Sequence, residues 1–192
     1  MYMKTHKEYI YGYFLNLIND TELAEILTEA AHLTNVACGE CILEAGNRTN
    51  EVCLIASGLV RGYYIDEDGN DRTKCFSQQG DWCCSYNYLS EMSCPFFLEA
   101  EESTVLAKFY IPDIETIKEK YPVLKSKIEE LLADSMMESE KRIYSFISLE
   151  ARERYQLLMK EQPELIKRAK QEHIASYLGI TPSSLSRIKR NL

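Results

Sequence analysis

The residues best equipped for chemistry fall in two places. Residues 173–192 read HIASYLGITPSSLSRIKRNL, a run of hydroxyl and basic side chains. All seven cysteines lie earlier: Cys38, Cys41, Cys53, Cys75, Cys83, Cys84 and Cys94. Hydroxyls and guanidinium groups on one helix can reach base edges and phosphates. Thiols can hold a soft metal or exchange electrons. Each group has to be placed by the elements around it.

The basic run stands out against its own chain. Between Leu165 and Leu192, six basic side chains face Glu172 alone, so this stretch carries +5 of a total of −8 and residues 1–164 carry −13. A basic patch on an acidic body is the footprint of a module that meets a polyanion. In QEHIASYLG, Ile174, Ala175 and Leu178 share an inward face, and Gly179 stops the helix. Thr181 can cap a second helix, with Pro182 at its first position. Leu185 and Ile188 dock that helix. Ser183, Ser184, Ser186, Arg187, Lys189 and Arg190 then face outward. This is helix-turn-helix spacing, with the second helix suited to a DNA major groove. Arg187 can bond a guanine edge bidentately. Ser183, Ser184 and Ser186 reach bases or phosphates only at close approach. Thr181 and Gln171 suit a phosphate, and Lys189 and Arg190 the backbone. His173 is read as a surface residue without a role.

The elements that carry this head follow in order. An N-terminal helix presents Ile10, Phe14, Leu17 and Ile18 on one face, and Asp20 or Thr21 opens another. From Val36 the texture changes to short runs cut by Gly46, Gly58, Gly69 and Gly80. Strands are predicted on both sides of Ser57-Gly58, with a turn at DEDGND and a strand over 103–111. Beyond Pro112 a long helix, interrupted at Tyr121-Pro122, carries a stripe at Ile128, Leu132, Met136, Ser139, Ile143 and Phe146. Such a stripe predicts a homodimer seam. A further helix follows, capped by Ser148 and limited by Pro163, and IKRAKQ is read as a linker.

This order resembles the Crp/Fnr family of bacterial transcription regulators. The resemblance covers essentially the whole chain. Its most specific pieces are IASYLGITPSSLSRIKR, GLVRGYYIDEDGNDRT and ARERYQLLMKEQPEL. It implies an α+β fold: a β-roll (jelly roll, or double-stranded β-helix) at 1–112, a dimerisation helix at 113–147 and a winged-helix-like helix-turn-helix domain at 148–192. It also implies a homodimer on double-stranded DNA, with an effector sensed in the roll. RNA polymerase is a further partner if the chain activates transcription.

Two stretches depart from the family pattern. Where cyclic-nucleotide-binding members carry Gly-Glu and Arg-Ser or Arg-Thr, this chain has Cys84-Ser85 and Cys94-Pro95, and residues 80–98 contain no Lys or Arg. A phosphate buried there would lack a counter-charge, so gating by cyclic AMP or GMP is not expected. The reading helix begins Pro182-Ser183 where the cyclic-AMP receptor has Arg-Glu, which predicts a different operator. The soft and aromatic set Trp82, Cys84, Ser85, Tyr86, Cys94, Phe96 and Phe97 marks an effector pocket for an uncharged ligand, or the filling of a roll that binds none.

Cys38 and Cys41 form the one Cys-x-x-Cys pair, too little for a four-thiolate site. No cofactor or metal is expected. The three histidines, His6, His32 and His173, are read as lying outside the roll, which disfavours a metal-dependent cupin, and no catalytic set is recognisable. The N-terminal residues show no secretion signal and no apolar run is long enough to span a bilayer, so a cytoplasmic protein without a membrane partner is expected. A dimeric interaction module with a degenerate roll and a thiol or metal redox regulator remain as alternatives.

Overall fold

A computed structural model describes residues 2–84, 86–90 and 92–191. Two helices, α1 (Tyr2–Ile18) and α2 (Thr21–Ala30), precede the strands β1 (His32–Val36), β2 (Cys41–Leu43), β3 (Glu51–Ser57), β4 (Leu59–Ile65), β5 (Asp71–Gln78) and β6 (Trp82–Cys83). A single turn, α3 (Tyr86–Leu89), leads to β7 (Phe97–Ala100) and β8 (Thr104–Tyr110). Helices follow: α4 (Ile111–Lys120), α5 (Pro122–Ser148), α6 (Ala151–Glu161), α7 (Pro163–Arg168), α8 (Gln171–Tyr177) and α9 (Pro182–Arg190). Among the described residues no strand lies beyond Tyr110. His32, read as outside the roll, opens β1 and pairs with Lys108 of β8, because the first strand starts directly after α2.

The strands form two antiparallel four-stranded sheets, ordered β1-β8-β3-β6 and β2-β7-β4-β5. Their facing sides enclose Val36, Leu43, Cys53, Ile55, Val60, Leu98 and Leu106. The outer side of the first sheet is covered as well. Val52, Leu54, Ala56, Ala107 and Phe109 pack beneath Ile10 and Phe14 of α1 and Leu23 and Leu27 of α2. With both faces covered, β3 is buried continuously from Val52 to Ala56 and shows no polar alternation.

Although consecutive, β3 and β4 belong to different sheets. Gly58 makes the crossing at φ +106°, in the left-handed region that favours glycine. A Cβ there would lie 2.6 Å from Thr104 Cα. The β4–β5 turn forms where the sequence places it: Asp66 Oδ1 accepts from the amides of Asn70 at 2.8 Å and Asp68 at 3.1 Å.

The helix boundaries include two corrections. Asp20 caps α2 as expected, accepting from the Leu23 amide at 3.0 Å. Ser148 does not cap α6. Glu150 does, in a reciprocal capping box with Glu153, because Ser148 is still the last residue of α5 and Glu150 directly precedes α6. The stretch read as a linker begins inside α7, for which Pro163 supplies an N-terminal start and not merely a stop for α6.

Gly58 sets up a test of this crossing. Gly58→Ala should lower stability by more than about 2 kcal/mol, since the left-handed strain is joined by a backbone clash. Chemical denaturation would measure it, with Gly69→Ala, where a Cβ meets nothing within 4 Å, as the milder comparison.

Candidate nucleic-acid interface

The turn between α8 and α9 is built by one glycine. Ile180 N–H donates to Ala175 O and Gly179 N–H to Ser176 O, both at 3.0 Å. Gly179 sits at φ +70°. Together these form a Schellman stop. Phe146 closes the turn from the side: a Cβ on Gly179 would lie 2.7 Å from its ring. Thr181 Oγ1 accepts the Ser184 amide at 3.2 Å and starts α9. Leu185 then inserts among Ile174, Ala175 and Leu178, with Tyr155, Leu158 and Leu165 behind them.

This packing leaves Ser183, Ser186, Arg187, Lys189 and Arg190 exposed along α9. Ser184 is half-buried, and its hydroxyl accepts from Thr181 at 3.0 Å. Thr181 and Ser184 therefore serve the helix start itself. Lys189 Nζ donates to Gln171 Oε1 at 2.7 Å and so spans the two helices. Gln171, Pro182, Ser186, Lys189 and Arg190 line a shallow depression between them. Two of the three basic residues of 165–170 have other partners. Arg168 donates to Glu102 at 2.6 Å and to Gly58 O at 2.7 Å, and Lys167 to Glu164 at 2.6 Å. The outward charge of this face is thus concentrated on α9.

His173 corrects the sequence reading. It is buried, not a surface residue, and its Nδ1 donates to the Glu101 carboxylate at 2.8 and 2.9 Å. Glu101, whose side chain has no exposed surface, also accepts the Lys170 amide at 2.8 Å. Arg61 lies 3.9 Å away and pairs at 3.0 Å with Asp71. Burial alone would raise the Glu101 carboxyl. The hydrogen bonds from His173 and Lys170, with the nearby positive charge, outweigh that and hold it below the ordinary value. Ser176 adds a second tie, accepting the Thr73 amide at 2.8 Å. The head is therefore docked on β5 and on the β7–β8 turn.

The predicted seam divides. Ile128 packs toward the α1–α2 cluster, and Leu132 is half-buried. Met136 and Ile143 are exposed by 66% and 51%, and Ser139 is exposed with its hydroxyl on Ser135 O. Phe146 faces its own head, under Arg142 and Arg154 at 4.8 Å each. The uncovered apolar face continues instead through Met137, Tyr144 and Ile147. The spacings 136/143 and 137/144 carried that signal in the sequence.

The predicted effector set also divides. Cys84, Tyr86, Cys94 and Phe96 belong to the roll interior. Trp82 points the other way, toward α1, where its indole N–H donates to Tyr13 at 2.8 Å. Phe97 stacks on Tyr63. Trp82 and Phe97 miss the interior because alternate strand residues face opposite sides. Ser85 lies outside the described residues. Residues 80–98 lack a cation of their own, but Lys74 places its ammonium 4.4 Å from the Phe96 ring. Cys38 and Cys41, the Cys-x-x-Cys pair, are both exposed.

Comparison with known proteins finds one matching domain and relatives over most of the chain. Residues 33–121 match the cyclic nucleotide-binding domain. An anaerobic regulatory protein of Haemophilus influenzae is 23% identical over 183 residues, covering 89% of this chain and 70% of that protein. FixK2 of Bradyrhizobium japonicum superposes with a TM-score of 0.73 at 20% identity, over 84% of each chain. The catabolite activator protein of Thermus thermophilus gives 0.59 at 21% identity, over 90% of this chain and 83% of that one. Over most of its length the chain is similar to regulators of the Crp/Fnr type. In this chain a buried carboxylate, Glu101, ties the α8–α9 module to the roll.

That tie has a defined pH dependence. The lowered carboxyl of Glu101 contributes stability above its unfolded value of about 4.3, and the contribution is lost as pH falls through the folded value. Glu101→Ala should cost about 3 kcal/mol at neutral pH. Denaturation at several pH values should show the gap to wild type narrowing below about pH 4.

Proposed function

We propose that this chain binds a two-fold DNA site as a homodimer and regulates transcription there, without gating by cyclic AMP or GMP. The observation that carries this reading is α9, a capped helix docked by Leu185 that presents Ser183, Ser186, Arg187, Lys189 and Arg190 outward on an acidic body. In this reading Arg187 contacts a guanine edge, Ser183 and Ser186 contact bases or phosphates, and Lys189, Arg190 and Gln171 contact the backbone. Thr181 and Ser184 set the helix start, and Thr181 lies where a phosphate would approach.

The division of labour follows the sequence reading. Residues 1–112 form the roll that senses an effector, 113–147 the dimerisation helix and 148–192 the reading head. The second copy packs along Met136, Met137, Ile143, Tyr144 and Ile147, a stripe too apolar to face water alone. No helix among the described residues is long and apolar enough to cross a membrane. We place the protein in the cytoplasm, without catalytic activity, and with RNA polymerase as a partner wherever it activates.

Selection of bound fragments from a random duplex pool, without added cyclic nucleotide, tests the DNA reading. The expected result is a palindrome with half-sites about 34 Å apart. Arg187→Ala should lose about 10- to 100-fold in affinity, with relaxed preference at one position per half-site. Unchanged enrichment by that variant would place the reading elsewhere. Sedimentation tests the seam: the wild type should be a dimer, and Met136→Glu with Ile143→Glu should give a folded monomer. A monomeric wild type would contradict it.

A further inference from the structure

Three cysteines that no spacing motif joins meet inside the roll. Cys53 on β3 stands directly opposite Cys83 on β6. Strand alternation would send Cys84 to the other face, but its backbone is at φ +60°, and all three side chains are buried in the same interior. Their sulfurs lie within 4.8 Å of one another. Among the described residues no further His, Cys, Asp or Glu joins this set. Lys108 faces Cys53 from β8 and is held by Glu51 at 3.2 Å.

We propose that Cys53, Cys83 and Cys84 form a three-sulfur site for a soft, thiophilic metal ion, and that the ion is Cu(I). Thiolates select Cu(I), zinc and iron–sulfur clusters. Structural zinc takes four ligands, and iron–sulfur clusters are held by four. The site offers three donors in a buried setting with little room for water, and Cu(I) accepts trigonal coordination. With metal–sulfur bonds of about 2.3 Å, a trigonal ion needs sulfurs roughly 4 Å apart, which the 4.8 Å limit accommodates. The positive charge of Lys108 offsets part of the negative charge that three thiolates bring. Coordination releases the thiol protons to solvent and leaves the copper as Cu(I).

The assignment is independent of the DNA-binding reading, and its test contains no DNA.

The experiment is anaerobic competition for Cu(I) between the reduced full chain and a chromophoric chelator, followed by X-ray absorption of the loaded wild type. The chain should withdraw one Cu(I), and three sulfurs should surround the copper. Outer-shell partners of metal sites are worth about 10- to 100-fold, so Cys83→Ser or Cys84→Ala should cost more than about 100-fold. The pair Cys38→Ser and Cys41→Ser should change nothing. The absorption measurement needs no variant and holds if a cysteine variant misfolds. No withdrawal of copper, two sulfur neighbours, loss that follows Cys38 and Cys41, or retention of Zn(II) in place of Cu(I) would overturn the site.

Discussion

A carboxylate removed from water must be met by donors on every side, and Glu101 is that carboxylate. Its partners come from two parts of the chain: Arg61 from the roll, and the Lys170 amide and His173 from the start of α8. Leaving such a charge unpaired is strongly unfavourable. The α8–α9 unit is therefore held where Glu101 finds these partners. Arg61 is held in turn by Asp71 and by the Thr73 hydroxyl at 3.3 Å, while its Nε is buried without a hydrogen bond. Thr73 reaches Ser176 of the same helix through its amide, so charge and backbone bonding fix α8 together.

The long helix enters the same junction through Arg142. Its guanidinium donates to Thr73 O at 3.2 Å and to Tyr177 O at 2.9 Å, and lies 3.8 Å from the Tyr177 ring centre. Arg154 of α6 closes the other side, donating to Leu178 O and Leu149 O. Roll, long helix and C-terminal unit thus share a few side chains around the end of α8. A rearrangement of β5 or of the β7–β8 turn has direct contact with the helix that carries α9.

Local chemistry was legible in the sequence where local chemistry decides the structure. The glycine stop at Gly179, the Thr181 cap, Pro182 and the docking leucine Leu185 follow from neighbouring residues alone, and all four form. The strands around Gly58 and the turn at Asp66 were readable for the same reason. What escaped was set by distant pairing. Nothing next to His173 announces Glu101, which lies 72 positions earlier. Trp82 left the predicted pocket because α1 covers the outside of its sheet. Phe146, still 41% exposed, also lies against Gly179 of the turn, a contact that no sequence neighbour announces. Cys53, Cys83 and Cys84 share no spacing motif, and only strand pairing together with one left-handed residue gathers them.

The central claim is that α9 faces DNA while the uncovered face of α5 meets a second copy. Site-specific photo-cross-linking on a selected duplex tests both at once. A photoreactive residue at Ser186 should join the protein to DNA, and one at Met137 should join two protein chains. Cross-links from Ser186 to protein, or from Met137 to DNA, would contradict the account.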